Sequence, residues 1–195
     1  MLESELPTNL LPTPVYFSKD EDDATLIRRV LDGETAAFEV LVERYQRVLY
    51  TVALRMLGNR DDAKDATQTA FVRAYERLSS FDEQYRFFSW IYRILVNECL
   101  NVIRGRRPED ELTPVLATSG GPFESAVSRE RQAQVQAALL QLTPEYRAVV
   151  VLRHFAGLSY DEMADALGVP AKTVKSRLYS ARQRLGELLL GWKAS

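Results

Sequence analysis

Cysteine and histidine are almost missing from this 195-residue chain, which has one of each, Cys99 and His154. One thiol cannot form an internal disulfide, and together the two fall short of the four ligands of a structural zinc site. Long apolar stretches are missing too. The longest aliphatic run is Val149–Leu152, against the roughly 20 residues that cross a bilayer. The opening residues Met1-Leu2-Glu3-Ser4-Glu5 lack the basic region and apolar segment that direct export. A Gly-rich phosphate loop, an activated nucleophile and a cluster of metal-ligating side chains are also wanting, so acid–base chemistry near neutral pH has few candidates. These absences predict a cytoplasmic protein with no membrane insertion, metal, cofactor or catalytic residue.

What remains is 46% hydrophobic and 27% charged, enough to bury one ordinary core or two small ones. The formal net charge of −2 conceals an alternation in sign along the chain. Residues 1–23 hold six acids against one Lys, and residues 108–128 hold four acids and no base. Residues 24–107 hold 14 basic against 11 acidic side chains, and residues 129–195 hold 10 against six. Two mildly basic segments are therefore masked by two acidic ones, a distribution compatible with nucleic-acid binding.

Proline and apolar spacing divide the chain in the same places. Pro7, Pro12, Pro14 and the run Asp20–Asp23 oppose both helix and burial, and predict a flexible acidic extension over 1–23. From Ala36, apolar residues recur at three- and four-residue steps through Phe38, Leu41, Tyr45, Leu49, Val52 and Met56. That spacing predicts a helix, closed by Gly58. A second helix starts from Asp61 as N-cap, with Ala63, Ala66, Ala70, Phe71 and Ala74 on one face. A third spans about 87–103 and stops at Gly105-Arg106-Arg107-Pro108. Pro108, Pro114, Gly120, Gly121 and Pro122 mark a linker over 108–128. Helical spacing returns after it, restarting at Thr143-Pro144-Glu145 with proline at the first helical position. The fold class is thus all-α: two small helical domains joined by a flexible linker.

The second domain ends in a specific pattern. Ser159-Tyr160-Asp161-Glu162 is a capping box, Gly168 breaks the short helix it starts, and Pro170 opens a longer one whose Val174, Leu178, Ala181 and Leu185 point inward. This is a helix-turn-helix, the arrangement that presents its second helix to a DNA major groove. Between Pro170 and Leu185 stand Lys172, Lys175, Arg177, Arg182 and Arg184 without an acidic residue, a face able to neutralise phosphates and reach base edges. His154, alone on an apolar helix, reads as structural.

Taken together, the two halves resemble an extracytoplasmic-function (ECF) sigma factor of the sigma-70 family over about residues 24–190. The stretch 62–75, Asp62-Ala63-Lys64-Asp65-Ala66-Thr67-Gln68-Thr69-Ala70-Phe71-Val72-Arg73-Ala74-Tyr75, is similar to the family's polymerase-docking helix. The resemblance implies polymerase contacts for Asp62, Asp65, Gln68 and Thr69, the last standing where members commonly carry an acid. The stretch 81–97 resembles the minus-ten recognition loop and its following helix. It implies that Asp82, Gln84, Tyr85, Arg86, Arg93, Asn97 and Asn101 read the melted strand, and aromatic faces with amide and guanidinium donors suit the capture of unstacked bases. The stretch from Leu142 to Leu178 resembles the minus-thirty-five-binding domain, which assigns DNA contacts to Lys172, Thr173, Lys175, Ser176, Arg177, Tyr179 and Arg182. On this resemblance 24–107 is region 2 and 129–195 is region 4. The implied partners are core RNA polymerase, through its clamp coiled coil and flap, promoter DNA, and an anti-sigma factor. The alternative is a stand-alone helix-turn-helix regulator that binds duplex DNA as a dimer; the docking-helix sequence at 62–75 argues against it.

Overall fold

A computed structural model of the chain describes residues 22–106 and 126–193. Most of the expected extension and connector lies outside the described residues. Among those residues there are eight α-helices, one 3-10 turn and no strand, in agreement with the all-α expectation.

Helix α1 (Asp23–Leu31) has no counterpart in the sequence reading, which begins its first helix at Ala36. Asp22 caps it by accepting from the Ala24 amide, and Leu26, Ile27 and Val30 turn into the core. Asp23 then ties α1 to the next helix, its carboxylate receiving Arg44 and the Tyr45 hydroxyl, both at 2.5 Å. Helix α2 (Ala36–Leu57) ends at Gly58, whose φ of 72° is the left-handed conformation expected of a glycine stop. Gly58 is needed for space as well, because a β-carbon there would meet the Leu140 side chain at 2.7 Å.

Helix α3 (Arg60–Glu76) starts two residues earlier than Asp61 as cap would give. Asn59 precedes it as an equally good capping residue, and its Oδ1 accepts from the amides of Asp61 (2.8 Å) and Asp62 (3.1 Å). A 3-10 turn (Leu78–Ser80) and a short loop lead to α4 (Phe87–Gly105). After the undescribed stretch come α5 (Ala126–Gln141) and α6 (Pro144–His154), the latter with Pro144 in its first turn as predicted. Helix α7 (Tyr160–Leu167) carries the complete capping box, and Gly168, at φ 63°, turns the chain towards α8 (Ala171–Lys193).

Helices α1 to α4 form one module around Leu41, Leu49, Met56, Ile91 and Leu95, all fully buried. Helices α5 to α8 form another around Leu139, Val149, Leu152, Met163 and Val174. The modules are packed together rather than held apart. Helix α4 lies against α7, α2 lies against α5 and α6, and the buried apolar residues make one continuous core.

Polar groups are buried at that junction as well. Arg55, on the last turns of α2, donates from Nη1 to Gln136 Oε1 at 3.0 Å and lies over the Phe155 ring. Arg147 of α6 donates to the carbonyls of Leu139 (2.9 Å), Leu140 (2.8 Å) and Leu142 (3.1 Å), and crosses to Met56 O at 2.5 Å. A single guanidinium thereby satisfies carbonyls left open at the ends of two helices, where a cation also suits the helix dipole. Burial pushes both guanidiniums down to about 10.

Candidate functional site

The residues predicted to meet a protein partner lie on α3. Asp65 and Gln68 are exposed, whereas Asp62 and Thr69 are half-buried. The Asp62 carboxylate is already engaged, receiving Arg106 Nη2 at 2.6 Å from just beyond α4. Beside Gln68 runs an open groove of about 540 Å³ between α2 and α3. Val42, Tyr50, Phe71 and Val72 supply its apolar lining, and Arg47 and Lys64 its positive charge. Val72 is 51% exposed on an otherwise well-packed helix, and Tyr75, one turn on, stacks edge-on against Phe38 with its outer side open. The sequence reading placed Phe71 on the inward face, where it is buried, but missed the groove. Its signal was Val72, an aliphatic residue off the alanine face.

The second set surrounds the start of α4. Asp82 shapes the loop, its carboxylate accepting from the Gln84 amide at 2.9 Å and its carbonyl from the Tyr85 amide at 3.0 Å. Gln84, Tyr85 and Arg86 project into solvent from this turn. Arg93, Asn97 and Asn101 follow at four-residue steps and form one exposed stripe along α4. Asn101 is oriented by its neighbours, donating to Glu98 Oε1 and accepting from Arg104 Nη1 at 3.1 Å. Glu98 in turn pairs with Arg73 and locks α4 to α3. The aromatic residues divide between core and surface. Phe87 and Tyr92 are buried, whereas Phe88 and Trp90 are half-buried, Trp90 against Phe81 and Phe87. The loop and stripe thus offer donors, acceptors and an exposed ring on a rigid aromatic base.

The third set is the helix-turn-helix. Ser159 Oγ accepts from the Glu162 amide at 3.3 Å while Glu162 Oε2 accepts from the Ser159 amide at 2.7 Å, which fixes the start of α7. Val174, Leu178, Ala181 and Leu185 are buried as predicted. Lys172, Lys175, Ser176 and Tyr179 are exposed, the last by 68%, and Thr173, Arg177 and Arg182 are half-exposed along the same helix. The sequence reading missed Tyr160, whose ring carries both Lys175 Nζ at 5.4 Å and the Arg153 guanidinium at 5.3 Å. Arg153 also donates to Leu158 O at 2.7 Å and pins the turn before α7. His154 is half-buried behind this face. Burial first, then the charges of Arg182 and Arg153, lowers its pKa to about 4, so the imidazole is neutral near pH 7.

The two sets predicted to read DNA are brought together. Arg86 pairs with Glu162 at 3.1 Å, and Arg93 reaches the turn at Gly168, where a β-carbon would lie 3.5 Å from its guanidinium. The docking face on α3 is not part of this cluster. Among the described residues no group of three or more His, Cys, Asp or Glu is placed to hold a metal, and no helix is long and apolar enough to cross a membrane.

Comparison with known proteins matches both modules in order. Residues 41–109 match the family model Sigma-70 region 2, and residues 132–185 match Sigma-70, region 4. The ECF RNA polymerase sigma factor SigW of Bacillus subtilis is 34% identical over 176 residues, 84% of this chain and 94% of that protein. Among solved structures, CnrH in complex with the cytosolic domain of CnrY superimposes with a TM-score of 0.71 at 29% identity, over 88% of this chain and 99% of that one. The sigma factor RpoE of Bartonella quintana, in complex with the anti-sigma factor NepR, gives a TM-score of 0.65 at 25% identity, over 78% and 96%.

Proposed function

Since this chain belongs to the sigma-70 family as an ECF RNA polymerase sigma factor, we propose that it joins core polymerase through α3 and reads a promoter with α4 and α8. It directs initiation at a subset of promoters and leaves the bond-forming chemistry to the polymerase. The relatives matched across both modules are RNA polymerase sigma factors, which favours this role over a stand-alone duplex-binding regulator.

In this reading Asp65, Gln68 and Thr69, with Asp62 once released from Arg106, meet the polymerase clamp coiled coil. Residues 24–107 form the docking and minus-ten module. The turn Asp82, Gln84, Tyr85 and Arg86 captures unstacked bases, and Arg93, Asn97 and Asn101 carry the strand along α4. Residues 129–195 form the minus-thirty-five module. Lys172, Thr173, Lys175, Ser176 and Tyr179 face the major groove, while Arg177 and Arg182 take phosphates. Core polymerase is met through its clamp coiled coil and flap, and the connector 108–128 spans the distance between the modules. A protein of this kind works on DNA in the cytoplasm, and an anti-sigma factor is a fitting partner because the compact arrangement of its modules matches that of a sigma factor held by one.

The observation that carries the proposal is the joint exposure, in one chain, of a base-capturing turn and a recognition helix that is cationic and free of acids as far as Leu185. Purified chain added to core polymerase is expected to produce run-off transcripts from a subset of genomic promoter fragments. Polymerase with and without the chain giving the same transcripts would refute it. Asp65→Ala with Gln68→Ala should weaken co-purification with core polymerase while leaving the melting temperature within about 2 °C, as exposed substitutions do. Unchanged co-purification would refute the docking face.

A further inference from the structure

The groove between α2 and α3 joins apolar surface to charge of one sign. Val72 is 51% exposed, Val42 and Tyr50 are half-buried, and with Phe71 they line one side-by-side apolar floor. No acid lines it, and among the described residues neither Arg47 nor Lys64 has a carboxylate partner. Its volume, about 540 Å³, lies in the range of clefts that take a ligand. A fitting occupant brings large apolar side chains and negative charge.

The chain carries such a segment of its own. Residues 1–21 lie outside the described residues and hold four acids against one Lys. Within them, residues 10–17 are uncharged and include Leu10, Leu11, Val15, Tyr16 and Phe17. Glu3 and Glu5 flank this stretch on one side, Asp20 and Glu21 on the other. Pro12 and Pro14 lower the entropy lost when such a stretch is held against a surface.

The segment is also tethered close to the groove. Asp23, at the start of α1, is held by Arg44 and Tyr45 of α2. Arg47 of the groove follows Arg44 by three positions and neighbours it on the helix surface. Phe17 precedes Asp22 by five residues. Extended, those residues reach roughly 17 Å, more than the width of a helix at about 10–12 Å.

We propose that residues 10–17 of the same chain occupy the α2–α3 groove and cover Gln68, so that core polymerase must displace them to dock. The competition rests on the reading of Asp65 and Gln68 as docking residues, whereas the occupancy of the groove does not. A short tether supplies an effective concentration of about 1 mM, so an intrinsic affinity of only ~0.1 mM keeps the groove filled about ten times as often as empty. Polymerase then finds the face open about one-tenth of the time, and its apparent affinity falls about tenfold.

Thiol reactivity in the full chain, without polymerase, tests the occupancy. Val72→Cys places a thiol on the groove floor, and Ser79→Cys, exposed just beyond α3, is the reference site. Native Cys99 is buried with its thiol pushed up to about 12, so it reacts far more slowly than either. Adding Leu11→Asp with Phe17→Asp, which alters the extension alone, should speed iodoacetamide alkylation at the Val72→Cys thiol about tenfold and leave the Ser79→Cys thiol unchanged. A synthetic peptide of residues 8–19 at millimolar concentration should restore slow alkylation in that variant, and the same peptide with both Asp substitutions should not. Equal alkylation with and without the substitutions overturns the proposal, and so does protection that grows with protein concentration, which would place a second copy in the groove. In the chain with native Val72, Leu11→Asp with Phe17→Asp should raise the apparent affinity for core polymerase about tenfold; unchanged affinity overturns the competition. A wrong docking assignment shows separately, as unchanged co-purification of Asp65→Ala with Gln68→Ala.

Discussion

Removing Gln136 is expected to unlock the two modules without unfolding either. Gln136 is buried on α5, receives Arg55 at 3.0 Å, and returns weaker bonds at 3.4 Å to the carbonyls of Leu54 and Arg55. Arg55 is itself buried, and its Nε has no partner. In Gln136→Ala the guanidinium loses an acceptor while remaining out of water, which costs about 1.5–3 kcal/mol for a charged donor. The space vacated by the side chain adds about 1 kcal/mol. The sum, about 3 kcal/mol, falls on packing between α2 and α5 and corresponds to roughly a hundredfold shift towards separation. Replacing both partners, Arg55→Met with Gln136→Leu, removes the stranded charge and refills the volume, and should bring packing back near the parent. Amide hydrogen exchange is the assay. Exchange at the end of α2 and along α5 should accelerate in the single variant and recover in the double, while the centre of α4 stays slow. Equal exchange in single variant and parent, or no recovery in the double, would refute the assignment of Arg55 and Gln136 to the lock.

Two other predictions concern the second module. Lys175→Ala with Arg177→Ala should depress transcription from cognate promoters and reduce the salt slope of promoter binding by about 0.9 for each phosphate no longer neutralised, with co-purification on polymerase unaltered; full promoter activity would show that α8 is not the reading helix. His154 makes stability depend on pH. Its folded pKa of about 4 lies below the ordinary value of 6.5, so between those values the unfolded chain binds a proton that the folded chain refuses. Stability is therefore full above about pH 6.5 and falls as pH drops towards 4. The loss is about 2 kcal/mol after allowance for the half-open site. In urea melts across this range the parent should lose about this much more stability towards acid than His154→Leu does, and parallel curves would contradict the shift.

Local rules made most of the helices legible. Gly58, Pro144 and the Ser159–Glu162 box each act within one turn, and each fixes a helix end where the pattern placed it. The start of α3 moved by two residues because Asn59 and Asp61 are both competent caps and spacing alone does not rank them. Helix α1 went unread because its three core residues are too few to establish a period, and its firmest tie, Asp23 to Arg44 and Tyr45, joins residues more than 20 positions apart. The same limit applies to the site. Exposure of Lys172, Lys175 and Tyr179 follows from helical phase, but the internal pairing of Asp62 with Arg106 and the stacking of Lys175 on Tyr160 depend on tertiary contacts.

The contact between modules was the least legible feature, and the reason lies in its chemistry. An interface built of aliphatic residues would have advertised itself as an exposed apolar stripe on each isolated module, and once formed would resist parting. Here the specific bonds come from arginines. Arg147 grips four main-chain carbonyls, Arg55 grips an amide, and Arg86 grips a capping carboxylate. Main-chain acceptors leave no mark in the sequence, and an arginine reads as surface charge wherever it falls. The same bonds are well suited to a reversible contact, because water replaces each of them when the modules part, and the guanidiniums recover hydration that burial had cost them. Leu140 against Gly58 and Phe155 beneath Arg55 add the apolar share that makes closure favourable. Closure therefore joins a continuous apolar core to buried, hydrogen-bonded arginines, and the polar bonds are the part that water can replace.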